Sequence, residues 1–161
     1  MPDLRTLSTG TKILLAAGVL LFLDTFLAWQ EVSVEVGGVE IASASRNAWH
    51  GFWGVLMGLA LVALLIWVAI QIFKVEVPNL TIPERTVTAA LAGLVFVLAL
   101  LKNLVDDYSA WPSYVGIVLA AGVAVGGWMR LQEADEAAAT AGAEAAPPPP
   151  PPPAAPPTGG S

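Results

Sequence analysis

Residues 12–30 read K-I-L-L-A-A-G-V-L-L-F-L-D-T-F-L-A-W-Q, and this stretch decides the class of the chain. A bilayer core about 30 Å thick needs roughly 20 mostly apolar helical residues to cross it. The stretch Lys12–Gln30 supplies about that many, with a single acid, Asp24, inside the apolar run. Three further stretches of similar character follow at about residues 51–73, 84–105 and 113–130. The expectation is an all-α membrane fold. It comprises a bundle of four transmembrane helices, a short extracytoplasmic β-hairpin and a disordered Pro-rich C-terminal tail.

Composition points the same way. Of 161 residues, 56% are hydrophobic and only 12% charged, about half the charged share of an average soluble domain. With no cysteine in the chain, disulfides, thiolate metal sites and cysteine nucleophiles are excluded. The net charge of −6 arises from acids in the tail and in one loop, and no basic patch exists to hold nucleic acid. No metal or cofactor site is expected.

Residues 1–11 are polar and include Arg5. A basic start before an apolar run has the form of a signal peptide. No small-x-small cleavage site follows Leu23, however, because Asp24, Phe26 and Trp29 occupy that zone. An uncleaved first helix is the reading.

Residues 31–45 carry Val32, Val34 and Val36, then Gly37-Gly38, then Val39 and Ile41. Alternation around Gly-Gly is the mark of a hairpin with a two-residue type I′ turn. In that register Val36 faces Val39 and Val34 faces Ile41. Glu35 then opposes Glu40 on the other face, where water must screen the like charges. The Val/Ile face is expected on the mouth of the bundle or the membrane surface.

Pro78 and Pro83 separate the second and third apolar stretches, and Pro112 is placed to open the fourth helix. Flanking basic residues set the orientation. Arg5, Lys12, Lys74, Arg85 and Arg130 lie on one side, with Arg46 and Lys102 on the other. This puts both termini in the cytoplasm. The aromatic residues Trp29, Trp49, Trp53, Tyr108, Trp111 and Tyr114, with His50 beside them, are expected at the outer interface. Beyond Leu131 the Ala/Glu-rich stretch can prolong the fourth helix by a few turns. The run Pro147–Pro153 then reads as a polyproline spacer.

An acid within the bilayer is costly and normally finds a partner. Lys102, near the outer end of the third span, matches Asp24 in depth and sign, so an intramembrane Asp24–Lys102 pair is expected, with Arg46 or Thr25 as further partners. Two other roles compete. Asp24 serves as a proton or cation site, like the first-helix acid of small proton-coupled multidrug exporters, or it stays protonated and bonds across helices. Small residues at four-residue spacing (Gly54 and Gly58, Ala89 and Gly93, Gly122 and Gly126) mark helix-packing stripes. No set of side chains pairs a nucleophile with a base, so the chain is not read as an enzyme.

The segments Phe26-Leu27-Ala28-Trp29 and Ala48-Trp49 carry a resemblance, together with Lys102, Asp106, Asp107 and the closing Trp128-Met129-Arg130. The pattern resembles small four-span integral membrane proteins of unknown function in actinobacteria and related high-GC bacteria. It implies a multi-pass protein of the bacterial cytoplasmic (inner) membrane and brings no activity with it. The function expected is that of a non-enzymatic accessory or scaffold subunit. Its contacts are the lipid bilayer and a membrane-protein partner or further copies of itself. The alternative is a small oligomeric transporter or channel using Asp24.

Overall fold

A computed structural model describes residues 7–75, 82–106 and 109–144. The Pro-rich run, Arg5, Pro78, Asp107 and Tyr108 lie outside them. Four helices and one antiparallel strand pair follow in the order α1 (Thr9–Asp24), β1 (Ala28–Val36), β2 (Val39–Asn47), α2 (Gly51–Ile72), α3 (Glu84–Val105) and α4 (Trp111–Glu144).

The first helix differs from its expected bounds. It starts earlier, where the Ser8 side chain accepts from the Thr11 amide at 3.3 Å as an N-cap. It ends at Asp24 rather than running on to Gln30. The Phe26 and Leu27 amides reach back only three residues, to Leu23 and Asp24, in a tightening final turn. Ala28 and its successors then pair as a strand. Hydropathy does not register the change, because Phe26, Leu27, Ala28 and Trp29 are as apolar as the helix before them. At 16 residues and 1.5 Å per residue, α1 measures about 24 Å. The three helices α2, α3 and α4 are long and apolar enough to cross a membrane.

α2 carries no charged residue and is apolar on nearly all sides. On α2, Gly54, Met57, Gly58, Leu61, Leu64 and Val68 turn inward at helical spacing, while Phe52, Leu59 and Ile66 stay exposed. In water such an exterior is unfavourable; a helix apolar all round belongs in a core or a bilayer. The common core joins Leu14 and Leu21 of α1, Met57, Leu61 and Leu64 of α2, Val95 and Leu98 of α3, and Val123 of α4. α4 is central: α1 lies along one flank of it and α3 along the other, and α2 packs mainly on α3.

Glycines permit the closest approaches. A Cβ at Gly126 would fall 2.6 Å from the Leu14 amide nitrogen, and one at Gly10 would fall 2.9 Å from that of Arg130. The α1 and α4 backbones are therefore nearly in contact. α4 runs well past residue 130, so the Ala/Glu-rich stretch prolongs it as far as Glu144. α2 ends with Lys74 at φ 51°. The Lys74 amide bonds to Gln71 and the Val75 amide to Ile70, the two bonds of a Schellman stop.

The hairpin turns at Gly37-Gly38, both at positive φ as a type I′ turn requires. Glu35 opposes Glu40 and Val36 opposes Val39, whereas Val34 pairs with Ala42. Ile41 is an extra residue on β2, which corrects the expected Val34–Ile41 pairing. A second irregularity makes Trp29 the extra residue on β1. The two bulges compensate, so the strands leave the turn and reach the helices in the same register. Between them Gln30/Arg46, Val32/Ala44 and Val34/Ala42 share one face, while Glu31/Ser45 and Ser33/Ser43 share the other.

Candidate functional site

The root of the hairpin, where it meets the helices, concentrates the buried polar chemistry. Asp24 is the last residue of α1, where the helix dipole disfavours a negative charge. It is only 5% exposed. Its partner is local: the Trp29 indole Nε1–H donates to Asp24 Oδ2 and to the Asp24 carbonyl oxygen, both at 3.0 Å. The bulge at Trp29 makes this possible by breaking the strand alternation and turning the ring inward. The ring is 1% exposed and lies against Gly116, where any side chain would collide with it. Trp29 is thus a core residue rather than one of an interfacial belt. Its carbonyl oxygen, freed from the ladder, accepts from the Ala110 amide at 2.8 Å, which ties β1 to the start of α4.

Thr25 continues the junction. Its hydroxyl donates to the Phe22 carbonyl at 2.6 Å and accepts from Trp49 Nε1 at 3.0 Å. The Thr25 carbonyl accepts from the Ala48 amide at 3.1 Å. The half-buried Trp49 ring covers Gly58 of α2, where a Cβ would come within 2.5 Å of it.

Lys102 is fully buried, but it does not pair with Asp24. Its Nζ donates to the His50 carbonyl at 3.1 Å and forms a short ion pair with Asp106, four residues on along its own helix. The physical reason is proximity: residues at i and i+4 on a helix are neighbours. Arg46 and Thr25 are not partners of Asp24 either. Arg46 Nη1 donates to His50 Nε2 at 2.9 Å, which makes that ring nitrogen the acceptor. Gly54 belongs to this same cluster, against the Ala48 carbonyl and with the Lys102 Cε at 3.1 Å from a virtual Cβ. Trp53 is half-buried and edge-on to Phe52, and Trp111 is exposed.

The small-residue stripes divide. Gly122 meets Ala17 and Gly126 meets Leu14, both across the α1–α4 contact. Gly93 has nothing within 4 Å of a virtual Cβ and, with Ala89, lines an outward apolar groove. The close α3–α4 approach uses Gly127 instead, against Ala92 and Ala89.

A second polar cluster at the opposite end of the helices escaped the sequence reading. Arg130 Nη2 donates to Gln71 Oε1 at 2.8 Å, and Gln71 Nε2 and Trp67 Nε1 both donate to Thr88 Oγ1, at 3.3 and 3.2 Å. The Gly10 amide donates to Glu133 Oε1 at 3.0 Å, and Arg85 pairs with Asp135 at 3.2 Å. The signal was available in Gln71 and Thr88, polar residues inside otherwise apolar helices. Among the described residues no group of three or more His, Asp or Glu side chains is placed to hold a metal ion.

The chain is therefore mostly helical, with three helices able to cross a membrane and a strand pair latched to one end of them. Compared with protein-family profiles, with curated proteins and with solved structures, it matches none of them.

Proposed function

We propose that the chain is a four-span protein of the bacterial cytoplasmic membrane, with both termini inside. In this reading it works as a non-enzymatic accessory or scaffold subunit through protein contacts. The observation that carries this is the hairpin. Val32, Val34, Val36, Val39 and Ile41 are all exposed. Exposed apolar patches on a rigid element mark contact sites. The polar chemistry behind it serves anchorage: Trp29–Asp24 and Trp49–Thr25 tie the ends of the hairpin to the end of α1, and Lys102 ties α3 to the start of α2. Asp24 bonded to Trp29 is a structural acid in this account.

The test is purification of the full chain from its native membrane in a mild detergent, beside a variant carrying Val34, Val36, Val39 and Ile41 as serine. A companion protein at fixed stoichiometry, lost from a variant that keeps its helical circular dichroism, is the expected result. A chain without a companion, whose proton or cation flux in proteoliposomes disappears in Asp24→Asn, would replace this reading with transport.

A further inference from the structure

A cleft of about 560 Å³ opens between the hairpin root and the helix ends. It lies where α2 begins and α3 stops, so its floor is level with one end of the apolar helices. Opposite charges line it. Arg46 on β2 supplies a guanidinium of which one nitrogen is engaged by His50, leaving further N–H donors free to turn toward a ligand. Asp106 supplies a carboxylate 21% exposed. One of its oxygens is held by Lys102, and a carboxylate has room for several donors. Gln30 adds an amide, and Val32, Ala44 and Val105 complete an apolar wall. Leu104, the residue before Val105 on α3, is 79% exposed.

We infer that this cleft binds the headgroup of a zwitterionic, primary-amine phospholipid of the phosphatidylethanolamine type. The phosphate meets Arg46, the ammonium meets Asp106, and an acyl chain follows Val105 and Leu104 along α3. This rests on the membrane reading given above. Guanidinium to phosphate and ammonium to carboxylate are both charge-assisted hydrogen bonds, and the two partners face one cleft with opposite signs. A glycerol headgroup would satisfy Arg46 through its phosphate but offer Asp106 only neutral hydroxyls in place of an ammonium. A choline headgroup has no N–H to donate, and quaternary ammonium is recognised by aromatic cages; among the described residues the lining holds no Trp, Tyr or Phe. The volume falls within the usual range of about 300–1,000 Å³ for small-ligand sites.

The experiment presents the full chain in mild detergent with equal amounts of phosphatidylethanolamine, phosphatidylglycerol and phosphatidylcholine, and counts retained lipids by native mass spectrometry. One phosphatidylethanolamine per chain, preferred at least about tenfold, is expected from one distinguishing charge-assisted bond. Arg46→Gln and Ala44→Trp should each reduce retention by about the same factor, with helical circular dichroism unchanged. Equal retention of the three lipids, a preference for phosphatidylglycerol, or retention unmoved by both variants would overturn the assignment. So would displacement by free phosphoethanolamine at a concentration similar to the lipid's. Alkaline carbonate extraction separates the two levels. Release of the chain from membranes would sink the membrane reading itself, whereas a chain that stays embedded yet selects no lipid sinks only the cleft.

Discussion

The buried acid and the buried cation each solve their problem locally, and that has measurable consequences. Trp29→Phe keeps an aromatic ring against Gly116 but removes the donor to Asp24. Leaving a buried acceptor unsatisfied costs about 1–3 kcal/mol, and this loss is expected in denaturant titration followed by far-ultraviolet circular dichroism. Asp24→Asn retains a side-chain oxygen for the indole and should lose less than Trp29→Phe. The reverse order would show that the charge, not the hydrogen bond, matters at this position. Lys102→Met strips donors from both Asp106 and the His50 carbonyl. Because Asp106 keeps some solvent contact, the loss should stay below the roughly 3–5 kcal/mol of breaking a fully buried pair. Adding Asp106→Leu to Lys102→Met should recover part of it. No recovery in the double variant would mean that the pair is not the relevant unit. The pairing of Lys102 was legible in principle, since Asp106 stands four residues away on the same helix. Depth and sign favoured Asp24 equally well, and neither criterion knows that Trp29 already occupies that carboxylate.

At the scale of elements, the sequence reading succeeds where punctuation is strong and fails where it is silent. α2 and α3 begin beside Gly51 and Pro83, at breaks any reading would use. The end of α1 has no such mark. What stops it is long-range: Ala28 pairs with Asn47, and Trp29 folds back on Asp24. The hairpin turn was visible in Gly37-Gly38, but the two bulges were not, because an extra residue in a strand changes no local composition. Small-residue spacing identified which helices pack closely only in part. Gly122 and Gly126 lie in the α1–α4 contact, while Gly93 of α3 faces outward and Gly127 of α4 takes the tight position against α3. This difference is testable. Gly126→Ala places a methyl against the Leu14 backbone and should cost about 1–3 kcal/mol, the usual range for overpacking. Gly93→Ala should be neutral or slightly stabilising, since alanine is the better helix former. Equal losses at both sites would show that the Gly93 groove is filled in the membrane.

For the whole molecule the proposed four-span reading turns on α1. Its 16 residues reach about 24 Å, short of a bilayer core of about 30 Å. Its neighbours argue that it crosses nonetheless. Gly10 lies beside Arg130, and Asp24 lies beside Gly116, so α1 runs antiparallel to the apolar half of α4 over nearly its full length. In the proposed four-span reading α1 enters and leaves the bilayer with its partner, and a short span is accommodated by local thinning of the lipid at modest cost. The turn after Asp24 adds apolar length, with Phe26 and Leu27 exposed where lipid would meet them. The chain has no cysteine, so single substitutions report position cleanly. Ser43→Cys on the hairpin should react with a membrane-impermeant maleimide in intact cells. Thr9→Cys and Thr140→Cys should react only after permeabilisation. Labelling of Thr9→Cys together with Ser43→Cys, but not Thr140→Cys, would mean that three helices cross and α1 lies on the hairpin side. In that event the buried contact of Gly10 with Arg130 could not survive in the membrane. The α1–α4 packing would have to differ there, and Gly126→Ala would lose its effect along with it.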